Sequence, residues 1–275
     1  MLLSVFFFST QDVQVKYLSS YYNIFFIIWI KSITQLLVVF AFLHIKSKKN
    51  YFKSDNYPVQ IFRGCCYSTA TILYFFGLKN LEMSVAASLS FVSPFIVAIF
   101  GFLLLKEKVS IKRWLVIVLG FSGVLVITRP GIIEFNFAFL FVLFAAIFWS
   151  LFQILSRFLR NDGAFNMLMI SSLVCFIFSS CFIPFYFDSI ININLFIMLS
   201  LLGIFAALAE YFMINAFSAT KASVIAPFFY LQMIWYTLYG YIFFSEIPDK
   251  FTLLGCLILV IFGIINLKLY EREAS

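Results

Sequence analysis

Residues 84–108, SVAASLSFVSPFIVAIFGFLLLKEK, and residues 223–247, SVIAPFFYLQMIWYTLYGYIFFSEI, decide how the rest of this chain is read. At one fixed offset they match at Ser84/Ser223, Val85/Val224, Ala87/Ala226, Gly101/Gly240 and Glu107/Glu246. Each opens with small residues, runs through an apolar helix and stops at a Glu. In a membrane chain, a duplicated half points to a carrier with its substrate site between the halves.

The surrounding composition is that of a membrane protein. Of 275 residues, 64% are hydrophobic and 11% charged, whereas about a quarter are charged in a soluble domain. So few charges cannot cover a water-facing surface. Strands of a membrane barrel would alternate polar and apolar residues, so the expected class is an all-α polytopic membrane protein in a lipid bilayer. No small-residue cleavage site follows the first apolar run, and a removable signal peptide is not expected. The 40 Phe residues read as the chain's apolar filler. Cys65, Cys66, Cys175, Cys181 and Cys256 lie in apolar segments without a CxxC pair, and His44 is the only histidine. Metal ligation is not expected, nor any cofactor.

A spanning helix takes about 20 apolar residues. Turn and charge signals cut the chain into ten runs: 2–18, 24–43, 59–78, 84–105, 113–129, 135–156, 165–186, 195–217, 223–244 and 251–268. The net charge of +7 does not call for a nucleic acid, because the basic residues fall in short loops between these runs. With a cytoplasmic N-terminus, the inner loops and their flanks hold Lys46, Lys48, Lys49, Lys53, Arg63, Lys106, Lys108, Lys112, Arg113, Arg157, Arg160, Lys221, Lys268 and Arg272. Lys16, Lys31, Lys79, Arg129 and Lys250 fall elsewhere. That bias predicts both termini inside. Five helices per half is an odd number, so the second copy enters the bilayer in the opposite sense. The expected fold is ten transmembrane helices in two inverted five-helix repeats, residues 1–131 and 132–275.

Polar groups within a bilayer are costly and mark functional candidates. Asp12, beside Gln11, lies in the first run and Lys31 in the second; these two read either as a site or as an ion pair joining two helices. Gln153 lies near Trp149 in the sixth run. Glu210 lies mid-way in the eighth, with Tyr211 beside it and Asn215 just beyond. Gln232 lies among Tyr230, Trp235 and Tyr236 in the ninth. Gln153 and Gln232 read equally as interhelical hydrogen-bond glue. Pro94 and Pro227 kink the two repeated helices, with Ser90 and Ser93 beside Pro94. Glu107 and Glu246 end theirs at the interface, as paired helix-end groups, gates or caps. Gly120 and Gly123, with Gly255 and Gly263, suit helices five and ten to a scaffold or a homodimer face.

The residues IFRG (61–64), SLSFVSPFIVAIFGFLLLKEKVSIKRWLVIVLGFSGVLVITRPG (88–131) and ASVIAPFFYLQMIWYTLYGYIFFSEIPDKFTLLG (222–255) resemble the drug/metabolite transporter superfamily, in its EamA-like branch. The resemblance covers nearly the whole chain. It implies a ten-helix, two-repeat secondary transporter of the bacterial cytoplasmic (inner) membrane. It also implies a cavity lined by helices 1, 3, 4, 6, 8 and 9, with helices 5 and 10 outside. Two positions depart from the family pattern: Lys31 stands where many relatives have Arg, and Ser245 where Gly is usual. Residues 209–232, AEYFMINAFSATKASVIAPFFYLQ, are similar to the subgroup of S-adenosylmethionine uptake carriers of intracellular bacteria.

The expected activity is thus alternating-access transport of a small polar or cationic metabolite, S-adenosylmethionine or another. Asp12 and Glu210 are the expected charge or proton-coupling groups. Tyr74, Phe91, Trp149, Tyr211, Tyr230 and Trp235 are the expected stacking or cation–π surfaces, with Ser93, Gln153, Asn215 and Gln232 as polar contacts. An integral membrane transferase is the alternative, yet no Asp-rich or His-based cluster is present for it. A non-transporting scaffold would not require isolated intramembrane acids.

Overall fold

Apolar runs become helices here because a backbone N–H or C=O inside a bilayer has no water to bind and is satisfied within its own segment. The computed structural model describes residues 1–45, 54–107, 110–128, 136–189, 193–247 and 249–274. Lys46, Lys48, Lys49, Lys53, Lys108 and the RPG of 129–131 lie outside the described residues, as do the side chains of Arg113 and Arg272.

All regular structure among the described residues is helical. The first helix, α1, spans Leu2–Leu18 and matches the predicted run; α2 (Ile24–Ile45) and α3 (Tyr57–Asn80) follow. Asn56 caps α3 by accepting the Val59 N–H at 3.3 Å, with Pro58 in the first turn. The predicted run 84–105 is broken. It forms α4 (Met83–Ser90) and α5 (Ser93–Leu105), with Pro94 in the first turn of α5. Proline has no N–H to continue a ladder, so one helix ends and another starts. Then come α6 (Ile111–Thr128), α7 (Ala138–Phe158), α8 (Ala164–Ser180), α9 (Ile183–Tyr186) and α10 (Ile193–Ala219). The ninth predicted run is also broken, into α11 (Ala222–Ile225), a 3₁₀ segment Ala226–Leu231 that carries Pro227, and α12 (Gln232–Phe244). The last helix, α13, is Lys250–Ala274.

Among the described residues, five segments are long and apolar enough to cross a membrane: α2, α3, α4–α5 together, α7 and α10. The apolar stretches of α6, α8 and α13 are shorter, at Trp114–Gly123, Ala164–Ser180 and Leu253–Phe262. Large apolar side chains such as Phe102, Leu103, Phe144, Ile177, Ile197 and Phe243 point outward, as a lipid-facing surface requires.

Helix contacts come in matched sets. The pair α3–α7 has a counterpart in α10–α1, α3–α8 in α10–α2, and α5–α7 in α12–α1. Two glycines, Gly64 and Gly203, lie 139 positions apart, the offset of the repeated stretch. Each marks a close helix approach. A Cβ on Gly64 would stand 2.8 Å from Val174 Cβ, and one on Gly203 would stand 2.5 Å from the Gln35 backbone nitrogen and 2.7 Å from the Lys31 carbonyl oxygen. Small residues let helix backbones meet in a membrane, where packing replaces the hydrophobic effect as the force between helices.

Arg63, counted among the loop and flank charges, lies near the start of α3. It is fully buried within α3 and ties three helices together. Its Nε donates to Gln60 Oε1 at 3.1 Å and its guanidinium reaches Ser156 Oγ at 3.0 Å and Ser171 Oγ at 2.7 Å. It also reaches the Met167 carbonyl oxygen at 2.5 Å and stacks on the Phe152 ring at 4.9 Å. Five guanidinium donors in a fixed fork suit such a cross-link, and this is why an arginine is tolerated with its side chain fully buried.

Candidate functional site

Most hydroxyls in this bundle need no outside partner. Ser9, Ser32, Ser68, Ser156, Ser172 and Ser179 donate to the carbonyl one turn earlier on their own helices, at 2.6–2.9 Å. Such back-bonding satisfies the group locally. The charged and amide side chains are left as the groups whose placement has to be explained.

A cavity with an empty volume of about 600 Å³, its opening included, lies where α1, α2, α3, α4, α7, the 3₁₀ segment and α12 converge. Its polar wall centres on Asp12. Tyr236 Oη donates to Asp12 Oδ2 at 2.5 Å and accepts from Gln232 Nε2 at 2.5 Å. Tyr74 and Tyr236 share a hydrogen bond at 3.2 Å; with the Tyr236 proton committed to Asp12, Tyr74 is its donor. Asp12 comes from α1, Tyr74 from α3, and Gln232 and Tyr236 from α12. The acid is therefore fixed by both ends of the chain. Gln11 also faces the cavity, and its Oε1 is buried without a hydrogen-bond partner.

The cavity is also lined by Lys31, which is 1% exposed. Its Nζ donates to Tyr67 Oη at 2.6 Å and lies 5.7 Å from the Phe75 ring centroid. Neither Asp12 nor Glu210 comes within ion-pair distance of it among the described residues, so of the two readings of Asp12 and Lys31, a direct ion pair is not met. Behind Lys31 runs a polar relay. Tyr67 Oη donates to Gln35 Oε1 at 3.4 Å, and Gln35 Nε2 donates to Glu210 Oε1 at 2.8 Å. Gly203 holds α10 close enough to α2 for this relay to form.

The remaining walls are aromatic. Trp149 meets Phe8 edge-on at 5.3 Å, Phe152 at 5.2 Å and Phe229 at 6.3 Å, and Tyr67 lies 6.4 Å away. Such a wall offers ring faces to a planar or cationic group.

Of the residues singled out from sequence, Gln11, Asp12, Lys31, Tyr74, Ser90, Trp149, Gln232 and Tyr236 line this cavity. The others lie elsewhere. Glu210 is fully buried behind the wall, with Oε2 unpartnered. Gln153 is buried on α7 with neither amide atom hydrogen-bonded. Tyr211 packs on Phe165 at 4.8 Å with the rings tilted, and Asn215 is exposed and bonded to the Tyr211 carbonyl of its own helix. Phe91 and Tyr230 pack edge-to-face at 5.5 Å, Ser93 shares a 2.8 Å hydrogen bond with Ser150, and Trp235 packs on Phe6 at 5.0 Å. The expected lining by the eighth span is corrected to the second: α2 contributes Lys31, while α10 reaches the cavity only through the relay. Tyr67, Phe8 and Phe229 were not singled out at all, since a Tyr or Phe among so many carries no distinguishing signal.

At the ends of the repeated stretch, Glu107 Oε2 accepts the Ala222 N–H at 3.1 Å and Glu246 Oε2 accepts the Met83 N–H at 3.2 Å. Each is joined by a cation from elsewhere in the chain. Arg157 Nε lies 3.5 Å from Glu107 Oε1, and Lys16 pairs with Glu246.

The model of the EamA-like transporter family matches this chain over residues 1–129 and again over 136–267. An S-adenosylmethionine uptake transporter of Rickettsia felis is 31% identical over 264 residues, covering 94% of this chain and 88% of that protein. A pseudopaline exporter of Pseudomonas aeruginosa is 22% identical, covering 94% of this chain and 91% of the exporter. A riboflavin transporter of Brucella anthropi is 22% identical over 78% of this chain and 77% of its own length. One crystal structure superposes with a TM-score of 0.82 over 100% of this chain and 97% of its own, at 16% identity, a likeness of fold alone.

Proposed function

This chain belongs to the EamA-like transporter family, and from that premise we propose that it carries a small cationic metabolite, S-adenosylmethionine or a close chemical relative, across the bacterial cytoplasmic membrane by alternating access. The chain is a multi-pass membrane transporter, not an enzyme. The proposal concerns its architecture, sidedness, cargo and cycle.

The architecture proposed is ten spans in two inverted repeats, residues 1–131 and 132–275, with both termini cytoplasmic. The matched helix contacts and the equivalent placing of Gly64 and Gly203 support it. In this arrangement the antiparallel partners α4–α5 and α11–α12 cross beside the cavity. Glu107 with Arg157 stands at one end of that pair and Glu246 with Lys16 at the other. They are candidate gates for the two sides of the membrane, opened in turn.

One observation carries the cargo reading. Asp12 is a carboxylate held by Tyr236 in a cavity with aromatic walls, an environment in which a desolvated cation gains both charge and ring-face contacts. The relatives named for S-adenosylmethionine add weight, since that molecule brings a sulfonium, an ammonium and a flat adenine ring.

The test is uptake and counterflow of labelled S-adenosylmethionine in proteoliposomes, beside protein-free vesicles and Asp12→Asn. Saturable uptake that is lost in Asp12→Asn is the expected result. Uptake equal to that of protein-free vesicles overturns the cargo.

A further inference from the structure

We infer that Lys31 is the contact for a carboxylate on the substrate, so that the cavity selects a zwitterionic metabolite: a cationic centre at Asp12 and a carboxylate at Lys31. This rests on the transport reading above and deepens it, since a purely cationic cargo needs Asp12 alone.

Lys31 is a cation with no direct ion-pair partner among the described residues. It is buried and faces the cavity. An ammonium has three donors and no acceptor. One donor is spent on Tyr67 Oη at 2.6 Å, leaving two. A buried ammonium short of partners costs several kcal/mol, and a membrane interior gives no water to offset that cost. A substrate carboxylate entering the cavity supplies the missing acceptors.

The surrounding groups point Lys31 at that task. Tyr67 orients the amine, Gln35 holds Tyr67, and Glu210 holds Gln35 from behind. Glu210 balances the charge through this relay without reaching the cavity. It is a positioning residue, and the free end of the relay is the ammonium. A lysine suits the role where a single carboxylate is bound end-on, since it presents a point charge and not a planar fork.

The experiment is thermal stabilisation of purified full-length protein by three probes: S-adenosylmethionine, the same molecule lacking its carboxylate, and S-adenosylhomocysteine, which keeps the carboxylate and lacks the sulfonium. Wild type is expected to bind the decarboxylated analogue about ten-fold or more weakly than S-adenosylmethionine, the worth of one charge-assisted contact. Lys31→Gln is expected to erase that preference and Lys31→Arg to keep it. Should Lys31→Gln not fold, Tyr67→Phe, which frees the amine from its guide, is expected to shrink the preference. Equal binding of both sulfonium probes by wild type, or an undiminished preference in Lys31→Gln, overturns the carboxylate contact and leaves the transport reading standing. Absence of stabilisation by any probe overturns both.

Discussion

Glu107 closes on the first backbone N–H of α11, that of Ala222, at 3.1 Å. The contact has a twin between Glu246 and Met83, and every element of it recurs. The Glu107 and Glu246 N–H groups donate to the Gly101 and Gly240 carbonyls at 3.1 and 3.0 Å. The preceding residues, Lys106 and Ser245, are left-handed at φ 52° and 55°. A carboxylate at a helix N-terminus satisfies a free N–H and meets the positive end of the helix dipole. The repeated stretch therefore ends each copy by capping the start of the other.

Removal of either cap loosens one end of the bundle. Glu107→Ala and Glu246→Ala are each expected to cost about 1–2 kcal/mol, the worth of a cap with a part-buried ion pair. The sites lie at opposite ends and share no partner, so the double variant is expected to show the sum. Thermal unfolding in detergent measures this. A double variant no worse than either single would deny two independent caps.

The left-handed residues invite a stabilising change. A side chain at positive φ carries a cost of about 1 kcal/mol that glycine avoids. Ser245→Gly, and separately Lys106→Gly, are expected to raise the melting temperature by about a few degrees. A fall in both would contradict the left-handed geometry.

Gly203 and Gly64 are expected to differ in their tolerance of alanine. A methyl at Gly203 meets the α2 backbone beside Lys31 and Gln35, which cannot move aside, whereas one at Gly64 meets the side chain of Val174. Gly203→Ala is predicted to cost on the order of 1–3 kcal/mol as overpacking, and to weaken substrate binding by displacing Lys31. Gly64→Ala is predicted to cost less. Ligand-dependent thermal shifts compare the two.

Asp12 and Glu210, both buried acids, are expected to respond differently when neutralised. Asp12→Asn is predicted to reduce proteoliposome uptake at least about ten-fold, because the carboxylate itself is the proposed contact for the cargo. Glu210→Gln keeps an oxygen for Gln35 and is predicted to reduce uptake less, with the loss appearing in KM. Equal losses in the two variants would place Glu210 in the cavity after all.

Much of the fold was legible in the residues. The first predicted run, 2–18, matches α1 at Leu2–Leu18, and the eighth, 195–217, lies within α10 at Ile193–Ala219. The prolines marked the places where the fourth and ninth runs break. The candidate site was legible only in its chemistry. Asp12 stood out as an acid in an apolar run, and so did Glu210, yet one lines the cavity and the other lies behind its wall. Tyr67 and Phe229 gave no signal among so many aromatics.

The chain by itself determined that it is a bundle of membrane helices with one stretch repeated, because apolarity over about 20 residues and a recurring Glu are properties of order along the chain. Only the tertiary structure decided which side of each helix turns inward. In water a buried face differs from an exposed one in polarity, and the period of a helix reveals it. Here lipid and core are both apolar, so that period is erased. Asp12, Lys31, Trp149 and Gln232, scattered from α1 to α12, meet at one cavity only because the packing of the bundle turns these faces of α1, α2, α7 and α12 toward each other.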